Sequence, residues 1–131
     1  MIIDKSTLDG LTAKAKDNPR LRQGQDMRNT PDDMSQRLLN AMEPGTVMPI
    51  HRHRGTSETI VVIRGSVLWL FYDEDGNETE RVVLDANGPV RMLVAEKNRW
   101  HSLECLESGT ILFEAKDGPY APLGPEDILE K

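Results

Sequence analysis

The feature that most constrains this chain is a train of short apolar runs, each bounded by residues that turn the backbone. The runs span Arg37 to Met42, Val47 to His53, Thr59 to Arg64, Val67 to Tyr72, Arg81 to Leu84, Val90 to Ala95, Trp100 to Leu106 and Thr110 to Ala115. Between them stand Pro44-Gly45, Arg54-Gly55, Gly65, Asp73-Glu74-Asp75-Gly76-Asn77, Asn87-Gly88-Pro89 and Ser108-Gly109. These residues tolerate tight or left-handed backbone and so mark turns. Pieces of this length, repeated at even spacing, predict an all-β antiparallel sandwich or barrel. Thr59-Ile60-Val61-Val62-Ile63 lacks clean alternation, which predicts a central strand covered on both faces, as in a jelly roll.

The two ends differ from the middle. Ser6 can cap a short helix whose apolar positions Leu8, Leu11 and Ala15 follow helical spacing, and Asp17-Asn18-Pro19 ends it. From Asp117 onward, Pro119, Pro122 and Pro125 predict a tail that wraps the barrel before a last helical turn at Glu126 to Glu130. At 131 residues, one domain is expected over 1–131: helix about 6–17, barrel about 20–116 and tail 117–131.

A net charge of -6 without a strongly basic segment excludes nucleic acid as a partner. Arg20, Arg22, Arg52 and Arg54 read as solvated surface charge. No apolar run is long enough for a membrane span, and charge at Asp4 and Lys5 interrupts any secretory leader, so the expected location is cytoplasmic. The single cysteine, Cys105, excludes an internal disulfide and is read as buried and inert. Met34, Met42, Met48 and Met92 are read as core fillers. Trp100 points away from its neighbour His101, which predicts packing or a contact in a homodimer.

The chemistry concentrates in the three histidines. His51-Arg52-His53 lies on a predicted strand, where a period of two turns both imidazoles to one face and Arg52 to the other. Glu58 opens the next strand, and an antiparallel return brings its carboxylate beside the pair. His101 follows several strands later, where a rolled sheet can carry it back across the barrel. His51, His53, Glu58 and His101 are therefore the expected ligands of one divalent transition metal. Mixed nitrogen and oxygen donors suit Zn, Fe, Mn, Ni or Co.

This pattern resembles the cupin superfamily. Gly45, five residues, His51-x-His53, four residues, Glu58, six residues and Gly65 match its first motif. The second motif is looser, because Glu96-Lys97-Asn98 replaces the usual Pro-x-Gly turn before His101, with Asn98 in the glycine slot. Asn tolerates left-handed backbone better than most residues. The stretches Arg37 to Thr46 and Phe113 to Tyr120 are similar to WbuC-type cupin-fold metalloproteins. That resemblance implies a double-stranded β-helix, metal binding and a setting in surface-polysaccharide (O-antigen) synthesis.

The expected ligand is a small anionic or sugar-derived molecule, with Arg37 and Asn40 as candidate pocket residues. Three imidazoles and one carboxylate leave coordination positions open, which favours a metalloenzyme of isomerase or epimerase type. A non-enzymatic sugar-metabolite binding or regulatory module is the alternative, and an Fe(II) dioxygenase a further one.

Overall fold

The N-terminal helix, α1, spans Lys5–Asp17, and its cap is Asp4, whose carboxylate accepts the Thr7 amide at 2.9 Å. Ser6 thus lies inside the helix and does not cap it, since Asp4 offers its carboxylate two residues earlier. The computed structural model describes residues 1–130.

Ten strands follow: β1 (Arg22–Asp26), β2 (Gln36–Met42), β3 (Ile50–His51), β4 (Glu58–Arg64), β5 (Ser66–Tyr72), β6 (Glu78–Asp85), β7 (Met92–Ala95), β8 (Trp100–Cys105), β9 (Thr110–Lys116) and β10 (Ile128–Leu129). They form two antiparallel five-stranded sheets, ordered β1-β2-β9-β4-β7 and β10-β3-β8-β5-β6. This is the expected jelly roll.

The inner faces meet in a core of Met42, Ile60, Val62, Val67, Trp69, Phe71, Leu84, Leu103 and Leu112. Each such side chain fully buried contributes about 1.5–3 kcal/mol through removal from water. Leu11 and Ala15 of α1 pack on Leu39, Ala41 and Ile111, covering the outer face of β2 and β9.

Four expectations are corrected. The run Val47 to His53 pairs only at Ile50–His51. In β4, Ile63 is 42% exposed beside a register shift between Val62 and Arg64, so only one face of that strand is fully covered. The tail makes a single 3-10 turn at Pro125–Asp127 and then a strand, β10, in place of a helical turn; Lys131, the last residue of that tail, lies outside the described residues. Met34 and Met92 are exposed at 72% and 51%, so only Met42 and Met48 help fill the core.

Three local details bear on the expectations for Asn98, Cys105 and Trp100. Asn98 takes φ 68°, the left-handed conformation its place in the turn requires. Cys105 is buried, donates to the Glu107 carbonyl at 3.2 Å, and burial raises its thiol above the ordinary value. Trp100 is buried within the chain beneath the Arg52 guanidinium, 4.5 Å from the ring centre, which makes it a packing residue.

Candidate metal centre

Both sheets contribute to one cluster. His51 and His101 stand directly opposite each other in the β3–β8 bridge, while Glu58 opens β4 in the other sheet. His53 follows β3 in the loop toward β4. The ligand atoms of His51, His53, Glu58 and His101 all lie within 4.8 Å of one another, so the structure brings together the four residues named from sequence.

The backbone sets which nitrogen each ring presents. His51 Nδ1 donates to the Pro49 carbonyl at 2.8 Å and His101 Nδ1 to the Arg99 carbonyl at 2.9 Å. A ring held this way carries its proton on Nδ1 and turns the Nε2 lone pair inward, the tautomer a metal needs. Trp69 stacks on His101 at 5.0 Å and 13°, fixing that ring further.

Glu58 Oε1 tests whether the cluster fits an ion. It is buried, and His53 Nε2 and His101 Nε2 approach it to 2.9 and 3.1 Å, yet it has no hydrogen-bond partner of good geometry. Donors about 2.0–2.2 Å from a shared ion at right angles stand roughly 3 Å apart, so these separations match edges of a coordination polyhedron. An unpartnered buried carboxylate oxygen is costly, and a cation at the centre of the cluster would satisfy it.

The electrostatics agree. Burial lowers the His51 value from 6.5 to about 4, with the nearby His101 ring adding to the effect, so His51 is neutral and ready to ligate at neutral pH. Burial alone would raise the Glu58 carboxyl, but in the metal-free cluster protons carried on the adjoining His101 and His53 rings outweigh it and hold the group well below its ordinary range, as an anion; a bound cation would take the place of those protons.

The cluster opens into a chamber of about 130 Å3 whose walls include Asn40, Met48, Trp69, Leu103, Glu114 and Lys116. Asn40 lines it. Arg37 does not: its guanidinium donates to the Met27 carbonyl at 2.9 Å and lies 3.9 Å from Asp33. Three residues apart on β2, Arg37 and Asn40 face opposite sides of the sheet, and only the side of Asn40 looks inward.

Sequence reasoning missed Glu114 and Lys116. On β9, Lys116 stands directly opposite Glu58 and Glu114 opposite Ile60, so both share the inward face. Burial, with the charge of Glu58 adding to it, raises the Glu114 carboxyl from 4.5 to about 7. Lys116 makes no hydrogen bond or ion pair among the described residues, and its charge acts on Glu58 and Glu114 through space. The parity of these two residues was readable in β9, but the register that places them beside Glu58 was not.

A family model described as a domain of unknown function (DUF6016) matches residues 3–84, more than half of the chain. No curated protein matches. Among solved structures, KdgF from Halomonas sp. is 20% identical with a TM-score of 0.61, over 79% of this chain and 84% of that one. CapF, the capsular polysaccharide assembling protein of Staphylococcus aureus, is 18% identical with a TM-score of 0.65, over 83% of this chain and 31% of that one. Oxalate oxidase in complex with the substrate analogue glycolate is 15% identical with a TM-score of 0.61, over 77% and 53%. The chain thus spans less than a third of the CapF chain and about half of the oxalate oxidase chain. These likenesses, with the two antiparallel sheets, establish the cupin fold.

Proposed function

We propose that this chain, which belongs to the DUF6016 family, is a divalent-metal cupin of the WbuC type, a metalloenzyme acting on a small anionic, carbohydrate-derived substrate. The observation that carries this reading is Glu58 Oε1, buried without a donor between two inward-turned imidazole nitrogens. His51, His53, Glu58 and His101 would hold the ion. When bound, it would supply Lewis acidity to a substrate oxygen.

The remaining roles fall to the chamber walls. Lys116 offers an ammonium to an anionic group close to the cluster, and Met48, Trp69 and Leu103 limit water there. Glu114, raised to about 7, is suited to hold or release a proton near neutral pH. We favour an enzyme over a binding or regulatory module because three imidazoles and one carboxylate leave coordination positions open to a substrate.

The similarity to CapF, a capsular polysaccharide assembling protein, supports a setting in surface-polysaccharide synthesis. The glycolate complex of oxalate oxidase supports a hydroxy-acid head group, and the Mn(II) centres of Bacillus subtilis oxalate decarboxylase support manganese as one candidate metal. The lone buried cysteine fits a reducing, cytoplasmic setting, and the exposed Met92 and Val94 on β7 would suit a homodimer contact. Elemental analysis of natively purified parent and His53→Ala protein tests the metal site. Near-stoichiometric metal in the parent and loss of most of it in the variant are expected; equal metal in both would remove His53 from the site.

A further inference from the structure

A second cavity, of about 330 Å3, lies against the first, and His53 and Lys116 line both. The sizes decide what each can hold. Pockets that bury a whole drug-sized ligand measure roughly 300–1,000 Å3, so the inner chamber of about 130 Å3 is too small and the outer one is not.

Exposure shows where the cluster opens. The side chains of Glu58 and His101 are each 4% exposed, whereas that of His53 is 18% exposed. His53 is thus the donor that looks outward, toward the larger cavity.

One wall of that cavity is apolar and held in place, facing Gln36, Arg54, Thr56 and Asp127 on the other sides. Pro119, Tyr120, Ala121, Pro122 and Leu123 form a strip in which Tyr120 is 60% and Leu123 38% exposed. The strip is pinned on both sides. Asp117 accepts from the Ser57 amide and hydroxyl at 2.8 and 2.9 Å, Gln36 donates to the Gly118 carbonyl at 3.0 Å, and Arg54 donates to Asp127 at 2.6 Å. Arg28 lies 5.4 Å from the Tyr120 ring centre and orients that ring. An exposed apolar surface fixed this firmly is preorganised for a ligand.

We infer that the ligand is bipartite: an anionic hydroxy-acid head enters the metal chamber past Lys116, and a ring-bearing tail lies in the outer cavity on the Tyr120–Leu123 wall. The inference rests on the metal-chelating reading above and adds a second subsite to it. Lys116, at the junction and without a hydrogen-bond or ion-pair partner among the described residues, faces the point where an anionic head passes inward. The apolar strip offers no charge to a tail and favours the flat face of a ring.

Calorimetry on the metal-loaded full chain with two probes tests this. Glycolate and 3-phenyllactate share the hydroxy-acid head and differ by a benzyl substituent. Phenyllactate is expected to bind roughly tenfold more tightly, as follows from burying about 60 Å2 of apolar surface. The double variant Tyr120→Ser, Leu123→Ser should bring the two within about twofold while leaving glycolate unchanged. Gly55→Trp is the complementary variant, since nothing lies within 4 Å of a Cβ at Gly55, on the cavity rim. It should exclude phenyllactate and spare glycolate.

Equal affinities in the parent would overturn the second subsite and leave the metal reading standing. Failure of the metal-loaded parent to bind glycolate at all would overturn the chelating reading and the subsite with it. Loss of glycolate binding in the double variant, at unchanged metal content, would show that the strip supports the metal chamber, and would also overturn the inference.

Discussion

Ile128 stands opposite His51 in an antiparallel bridge, so the last strand of the chain is bonded to the one that carries the first imidazole. Asp127, just before it, accepts from Arg52 Nε at 3.2 Å and Arg54 Nε at 2.6 Å, the residues that alternate with His51 and His53. The tail thus grips the ligand segment by Arg52 and Arg54 while His51 and His53 turn to the metal cluster on the other side.

Asp127→Asn should therefore weaken metal binding without unfolding the barrel. Groups that orient ligands from behind typically contribute about 10–100-fold in affinity. Competition with a chelating dye measures this directly, with circular dichroism as the check on folding. Unchanged affinity would show that the β3–β10 backbone pairing alone holds the strand.

The metal-free protein should show two opposed pH dependences. His51 stands at about 4 when folded against 6.5 when unfolded, so the unfolded chain takes up its proton first. Stability from this group is present above about 6.5 and is lost as pH falls toward 4, by on the order of 3 kcal/mol at most. Glu114 acts in reverse, at about 7 folded against 4.5 unfolded; its contribution is full below 4.5 and is lost as pH rises through 7. In thermal melts of metal-free protein, Glu114→Gln should gain stability over the parent at pH 8 and show no gain near pH 4. A gain of equal size at both values would mean that the side chain's shape, and not its charge, is responsible.

Gly65, between β4 and β5, takes φ +74°, and a methyl group there would fall onto Thr110 Oγ1 and within 2.9 Å of Thr110 Cα. Thr110 is fully buried and its hydroxyl donates to the Glu107 carbonyl at 2.6 Å, so it has little room to yield. Gly65→Ala should cost about 2–4 kcal/mol through strain and overpacking together. Urea unfolding measures the loss; a midpoint unchanged from the parent would mean that the β4–β5 turn can relax.

Most of the barrel was readable because its inward residues are apolar and its turns carry Gly, Asn or Asp. The strands that escaped notice lack those marks. β1 is Arg22-Gln23-Gly24-Gln25-Asp26, polar throughout, and forms because β2 offers it an edge. β10 has two residues, too few for any period to show. The four clustered residues were legible from their spacing, but two of them are placed by another route than the strand pairing expected: His53 lies in the loop after β3, and Glu58 opens β4 in the opposite sheet and faces the histidines across the barrel. Glu114 and Lys116 were not legible, since their position beside Glu58 depends on how β9 registers against β4, which is set by the whole sheet. Arg37 and Asn40 were named as a pair, and strand parity turns only Asn40 toward the chamber.

His51 and His101 belong to one sheet and Glu58 to the other, so an ion held by all of them would rivet the two halves of the barrel. Its binding energy would then appear as heat resistance of the whole molecule, growing with free-metal concentration. A partly loaded preparation would contain two species of identical sequence that melt at different temperatures. A chelator in the buffer would resemble a destabilising mutation, and comparisons between variants would require equal metal occupancy before any difference in melting could be assigned to a side chain.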